Sequence, residues 1–349
     1  MRRPLSAVFP FIALLASACT LDSSSEEADA QWLDRLNAST LTEVWRIGEL
    51  NGPPERVFGR IGGIAVDASG RIFVVDVLNN VLRMYGPGGE HLASAGREGE
   101  GPGEFRSPEK VVLVGKDSVL VTDRNGRLSR FLVRGDSIVV DGIVRLSATP
   151  WDACVLGDAI IVQGVPLEGE GILHVYDLRG THLASFGEMN AGANLIIRET
   201  FTWGSVVCLR EAGEALYVPN FSPEIRWYRA DGSLVATDSL PDYSITPAEP
   251  ARNGGGSFDW SPEQGAHAVR SILELDPSSV LIQLAYKDAT LPTASDYVYL
   301  DSRLWDVQTR REIGRSRAVP LLFTVRGDFA YGKVAEPFPQ IVKYRLKSH

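Results

Sequence analysis

The chain has 349 residues, 44% of them hydrophobic, which is enough apolar material for a large core and too much for a disordered chain. Its formal net charge of -9 argues against a general nucleic-acid binder, because phosphate contacts need a basic surface. Five His and three Cys leave little inventory for a His-rich or Cys-rich metal centre.

Arg2 and Arg3 open the chain, and Leu5 to Ala18 is almost wholly apolar apart from Pro10. This run is shorter than the ~20 residues of a membrane-spanning helix and fits the hydrophobic region of a secretory signal. Leu15-Ala16-Ser17-Ala18-Cys19 resembles a bacterial lipobox, in which small residues lead to the Cys that receives lipid. Ala16-x-Ala18 also fits an ordinary signal-peptidase site, which would leave Cys19 incidental. Thr20 to Ala30 is polar, acidic and Ser-rich, as suits a flexible tether. The expected division is a signal peptide over 1–18, a lipid-attached tether over 19–41 and a folded domain over 42–349. Such a protein would sit in a bacterial cell envelope, anchored at the outer membrane or facing the periplasm.

After residue 50 no segment holds a helical period, but the sequence repeats itself. Gly89-Glu90-His91-Leu92-Ala93-Ser94-Ala95-Gly96 returns as Gly180-Thr181-His182-Leu183-Ala184-Ser185-Phe186-Gly187. One aromatic marks each repeat: Tyr85, Phe131, Tyr176, Tyr228, Trp305 and Tyr344. The spacings are 46, 45, 52, 77 and 39 residues; Pro, Gly and Ser fill Asp238 to His267, so the longest spacing reads as insertions rather than a seventh repeat. Ahead of each of the first two anchors lies a hairpin: Ile64 to Val66 with Arg71 to Asp76, then Val111 to Val114 with Ser118 to Asp123. Asn125-Gly126 is expected to form a type I′ turn. Four strands in about 45 residues is the signature of a β-propeller.

The termini complete the count. Glu43 to Gly48 reads as a fourth strand lacking its three predecessors, and Leu322 to Leu346 has room for three strands. The expected fold is therefore an all-β, six-bladed β-propeller with four-stranded antiparallel blades, its ring closed by the N-terminal strand. Cys154 and Cys208 open predicted inner strands of successive blades. Export permits a disulfide between them, while the strict geometry of a disulfide favours two separate buried thiols.

Gly63 to Asp76, Asn79 to Leu82 and the linker Gly96 to Pro108 resemble NHL-type repeats and the six-bladed propeller lipoproteins of bacterial envelopes. That resemblance implies a fold rather than an activity, because propellers host many functions. Lactone hydrolases and some lyases resemble this architecture and hold a divalent metal at the channel mouth. Glu100-Gly101-Pro102 superficially matches a metal-binding Glu-Gly-Pro of the lactonases, but a glycine-rich turn between blades accounts for it. His91 and His182 are repeat equivalents on outer strands, which explains them better than a metal pair. No G-x-S-x-G, H-E-x-x-H, C-x-x-C or P-loop is present. No cofactor is expected, and a divalent cation in the central channel belongs to the alternative reading of a metal-dependent hydrolase or lyase.

Propeller loops from the second to the third strand, and from the fourth strand to the next blade, share one face. Here those connections are short at Asp76 to Asn80 and Asp123 to Gly126, and long at Glu188 to Gly204, Asp238 to His267 and Leu284 to Tyr297. The long ones carry aromatics, among them Phe201, Trp203, Tyr243, Phe258, Trp260 and Tyr286. Aromatic side chains give large contact area and tend to anchor interfaces. The candidate ligand residues are Trp203, Trp260, Tyr286, Asn220, Asp76 and Asp123. The expected function is recognition of a protein, peptide or glycan by a module held to the membrane through its lipid, with no nucleic-acid partner and no catalytic residue.

Overall fold

The computed structural model describes residues 31–167, 171–189, 202–220, 222–243, 267–286 and 299–347. The first strand is β1 (Thr42–Ile47). The first sheet contains β2 (Ile61–Val66), β3 (Ile72–Asp76), β4 (Val81–Tyr85) and β5 (His91–Ala95). The second contains β6 (Pro108–Val114), β7 (Ser118–Asp123), β8 (Arg127–Arg134) and β9 (Ser137–Arg145). The third contains β10 (Ala148–Leu156), β11 (Ala159–Pro166), β12 (Leu173–Asp177) and β13 (His182–Phe186). The fourth contains β14 (Gly204–Leu209), β15 (Glu214–Pro219), β16 (Glu224–Arg229) and β17 (Leu234–Ser239). The fifth contains β18 (His267–Asp276), β19 (Ser279–Tyr286), β20 (Tyr299–Asp306) and β21 (Arg311–Ser316). The sixth joins β22 (Leu322–Arg326), β23 (Phe329–Val334) and β24 (Gln340–Arg345) to β1, which pairs antiparallel with β24 along its outer edge.

The first strands of the sheets, β2, β6, β10, β14, β18 and β22, touch one another in a cycle, so the six antiparallel sheets form a propeller ring. The core is divided among the spaces between neighbouring sheets. Phe73, Met84, Val119 and Phe131 fill the space between the first and second. Trp227, Leu216, Val280 and Trp305 fill that between the fourth and fifth. Ile64, Tyr85, Tyr331 and Ile341 fill that between the sixth and first, where Ile47 of β1 is also buried. A second strand therefore has neighbours on both faces. That is why Ile72-Phe73-Val74-Val75 is continuously apolar and buried, whereas the peripheral β5 has no fully buried residue and exposes His91 and Ser94.

The chain passes between sheets at the end where the first strands begin, here called the upper face. These linkers have no ladder of their own, and buried backbone carbonyls need partners. A buried arginine supplies them. Arg83 of β4 donates to Asp76 at 2.7 Å and to the carbonyls of Pro54 and Val57 at 3.0 and 3.3 Å. Arg127 of β8 donates to Asp123 at 2.7 Å and to the carbonyls of Gly99, Glu100 and Glu104. Arg226 of β16 pairs with Glu224 and reaches the carbonyl of Glu188 at 2.8 Å. Arg303 of β20 pairs with Asp301 and reaches the carbonyl of Pro241.

Arg83, Arg226 and Arg303 stand two residues before their repeat aromatic, and Arg127 stands four before, on the same strand face. The third and sixth sheets lack the device. Their linkers are short, running from Arg145 to Ala148 and from Ser316 to Leu322, and offer little for an arginine to hold. The equivalent residue in β12 is His174, which is buried and shares a hydrogen with Ser185 Oγ at 2.8 Å.

Three local expectations change. Asp123 pairs with Arg127 across a three-residue turn in which Gly126 takes the left-handed conformation (φ 69°), not the type I′ turn at Asn125-Gly126. Cys154 and Cys208 form a disulfide rather than two separate thiols, because β10 and β14 lie side by side with the two Cα atoms 5.6 Å apart. Trp32, Leu33, Leu36 and Leu41, expected to lie in the tether, pack on the ring. Residues 31–35 are helical, Leu36 is fully buried among Leu273, Leu281, Val319 and Leu322, and Trp32 Nε1 donates to Asp276 Oδ2 at 2.5 Å. Asp276 ends β18, so this segment sits on the lower face.

Arg127→Met would leave the Asp123 carboxylate buried without its countercharge, and a loss of about 3–5 kcal/mol is expected. Urea unfolding measures it, and a loss below about 1 kcal/mol would show that the linker does not depend on this pair. Burial, helped by neighbouring His182, pulls His174 down to about 4. The unfolded chain takes up a proton near pH 6.5 that the folded chain refuses down to about pH 4, so stability should fall as pH drops through that interval. His174→Gln should flatten the acid side of a plot of stability against pH; an unchanged slope would remove His174 as its cause.

Candidate functional site

All six first strands line a central channel whose cavity measures ≈ 290 Å³. Apolar β-branched residues form part of its wall, among them Val66, Val111, Val155, Val207 and Val325. Polar side chains interrupt this pattern near the upper mouth. Lys110 of β6 lies 3.5 Å from Asp152 of β10. Asp152 is buried and accepts the backbone N–H groups of Ala153 at 2.8 Å and Val206 at 3.2 Å. Burial pushes its carboxyl up, and Lys110 and the two N–H groups oppose that shift. Because Val206 belongs to β14, Asp152 ties the third sheet to the fourth, just above the disulfide that joins the same two strands.

A second lysine enters from β23. Lys333 Nζ donates to the carbonyl of Ile61 at 2.9 Å. Among the described residues no carboxylate pairs with it. Lys333 and Lys110 place their ammonium groups 5.2 and 5.8 Å from the centre of the Phe323 ring, within cation–π range. Burial pulls Lys333 down to about 8, and the positive charges of Arg270, Lys110 and Arg60 add to that effect. Arg60 pairs at 3.2 Å with Glu109, so among the described residues two ion pairs, Arg60–Glu109 and Lys110–Asp152, stand beside Lys333.

Beside this cluster lies an aromatic pair. Trp151, adjacent to Asp152, and Trp203, adjacent to Gly204 of β14, stack with centroids 4.9 Å apart and planes 3° from parallel. The Arg124 guanidinium sits 5.3 Å from one ring and 5.6 Å from the other. Both indoles are half-buried and Arg124 is exposed. The Asn220 N–H donates to the Trp203 carbonyl at 2.6 Å, and the Tyr243 hydroxyl donates to the Asn220 carbonyl at 2.6 Å. The upper edge of the fourth sheet is thereby fixed.

Trp203 and Asn220 thus come together near the mouth. Tyr286 ends β19 on the same face, its backbone paired with His267 and Tyr299. Asp76 and Asp123 are fully buried. Besides their arginines, Asp76 accepts the N–H groups of Gly59 and Arg60, and Asp123 those of Arg106 and Asn125, so both carboxylates are committed to holding linkers. Trp260, Phe258, Phe201 and Cys19 lie outside the described residues. His91 and His182 each contact the serine three residues on, at 2.8 and 2.9 Å, repeating one local arrangement. Glu100-Gly101-Pro102 lies in a linker held by Arg127.

Arg124, Trp151, Lys110, Phe323 and Lys333 are functional candidates beyond those expected from sequence. For Lys110 and Trp151 the available signal was a charged or large aromatic residue ahead of small or apolar residues in a first strand, Lys110 before Val111-Val112 and Trp151-Asp152 before Ala153-Cys154-Val155; Arg124 in its turn and Lys333 on a second strand carried no such signal. Among the described residues no three His, Cys, Asp or Glu side chains converge. Among the same residues no helix is long and apolar enough to cross a membrane.

No protein-family model matches the chain, and no curated protein matches it in sequence. Solved structures are similar in shape. One is a protein described as exported from Bacteroides fragilis, with a TM-score of 0.59, 12% identity, and coverage of 89% of this chain and 97% of that one. Another is a DUF4221 family member from Bacteroides vulgatus, with a TM-score of 0.54, 10% identity and coverage of 88% and 98%. A third is virginiamycin B lyase from Staphylococcus aureus, with a TM-score of 0.51, 10% identity and coverage of 86% and 98%. At these identities the likeness extends to the fold alone: the chain is a six-bladed β-propeller.

Proposed function

We propose that this chain is an exported, lipid-anchored module of the bacterial cell envelope that recognises a protein, peptide or glycan through the upper face of its propeller. The observation that carries the reading is the stacked Trp151–Trp203 pair beside the channel mouth, with Arg124 against both rings. Half-buried indoles held by their own backbone contacts give a rigid contact surface at little entropic cost. The connections over 190–201, 244–266 and 287–298 leave from and return to strand ends on this same face.

The position of the N-terminal segment supports an anchored arrangement. Trp32 is tied to Asp276 on the lower face, so a lipid on Cys19 would hold that face toward the membrane and turn the upper face outward. A metal-dependent hydrolase or lyase is the weaker reading. A divalent cation entering the described mouth would meet Lys110, Lys333 and Arg60.

Profiling the purified chain on glycan and peptide arrays tests the recognition surface. The Trp151→Ala/Trp203→Ala double variant should lose about tenfold or more in affinity for whatever the wild type binds, with its melting temperature within a few degrees. A collapse of melting temperature would instead assign the indoles to packing. The anchor is tested by fractionation: Cys19→Ala should move the protein out of the membrane fraction or leave it uncleaved. Correctly processed, membrane-bound Cys19→Ala protein would overturn the lipid assignment.

A further inference from the structure

Among the described residues, cationic side chains gather at the upper mouth. The chain as a whole carries a net charge of -9, yet Arg60, Lys110, Arg270 and Lys333 converge here against Asp152 and Glu109. Folding has drawn like charges together inside a partly desolvated channel, where their repulsion is least screened. Both carboxylates have structural work: Asp152 bridges the third and fourth sheets, and Glu109 pairs with Arg60. Lys333 is the exception in this cluster. An ammonium group has three N–H donors, and the acceptor Lys333 finds is a single neutral carbonyl, that of Ile61. Glu109, paired with Arg60, acts on its charge, but among the described residues no carboxylate lies within ion-pair distance of it.

We propose that this mouth is a binding site for the carboxylate of an acidic saccharide, held by Lys333 and Lys110, with the sugar ring against the neighbouring Trp151–Trp203 pair. The proposal rests on the reading of the upper face as a recognition surface and names the ligand class for it. Two ammonium groups flanking Phe323 form an anion seat whose base is apolar, so a bound carboxylate would be shielded from competing water. The burial and cationic surroundings that weaken proton binding by Lys333 would be offset by an anion between the lysines. Lys110 and Phe323 line the central channel, and Lys333 reaches the same Phe323 ring from the sixth sheet, so the seat lies where the channel opens. Flat parallel indoles offer an apolar platform to the C–H face of a sugar ring, a surface that an extended acidic peptide would not need.

The test is titration calorimetry of the full chain with uronate trisaccharides of galacturonate, glucuronate and mannuronate, their methyl esters, hexaglutamate and inorganic phosphate. At least one uronate is expected to bind, with its methyl ester about tenfold or more weaker and with affinity falling as salt rises. Lys333→Met and Lys110→Met should each lower that affinity by about tenfold, and Lys333→Arg should retain most of it. Thermal melting of each variant checks that it is folded. Failure of all three uronates to bind, equal binding of acid and ester, or equally tight binding of hexaglutamate or inorganic phosphate would overturn the proposal. If the lysine variants keep full affinity for a ligand that the tryptophan variant loses, the recognition surface stands and the carboxylate seat falls.

Discussion

An arginine buried beside a carboxylate, and aimed at carbonyls of the preceding linker, is the interaction on which the ring's upper face depends. A guanidinium has five donors in a fixed fork, so it can satisfy a carboxylate on one side and backbone oxygens on the other. Burying either charge alone would be costly, and the pair is tolerable only when nearly every donor is used. Arg127 approaches that condition through its two terminal nitrogens, which reach Asp123 and three carbonyls while its Nε is buried without a partner; the terminal nitrogens of Arg83 reach Asp76 and two carbonyls. The device appears where the linker is long and is absent where the chain steps directly from β9 to β10.

Fixed linkers deliver the first strands to the channel at defined heights, and the mouth follows from that. Lys110 and Asp152 meet because β6 and β10 are neighbours, and Lys333 reaches Ile61 because the sixth sheet lies against the first. The disulfide and the Asp152–Val206 hydrogen bond both fasten β10, which carries Trp151, to β14, which Trp203 immediately precedes. The aromatic pair therefore stands at a junction fastened twice. A rigid platform needs little reorganisation when a ligand arrives, which suits recognition.

The two faces have different tasks. Below, Trp32, Leu33 and Leu36 fill a wedge between the fifth and sixth sheets and end the N-terminal segment there. Above, aromatic and cationic groups surround the opening. A propeller separates these roles because its strands run the full height of the ring: the packing that holds one end does not occupy the other.

The repeat made much of the fold legible in the sequence. A second strand squeezed between sheets must be apolar throughout, as in Ile72 to Val75, and a peripheral one tolerates polar, exposed residues, as in His91 to Ala95; those patterns, with one aromatic per repeat, specify six four-stranded blades. The site was legible only in part. Trp203 and Asn220 could be chosen because they flank long connections. Asp76 and Asp123 could not be told from ligand residues, since an acidic residue at a strand end looks the same whether it faces solvent or an arginine seven or four positions on. The Cys154–Cys208 bond, the Trp151–Trp203 stack and the meeting of Lys110 with Lys333 join residues 54, 52 and 223 positions apart. Local periodicity fixes which face of a strand a side chain occupies, and only the closing of the ring decides which distant strand it meets.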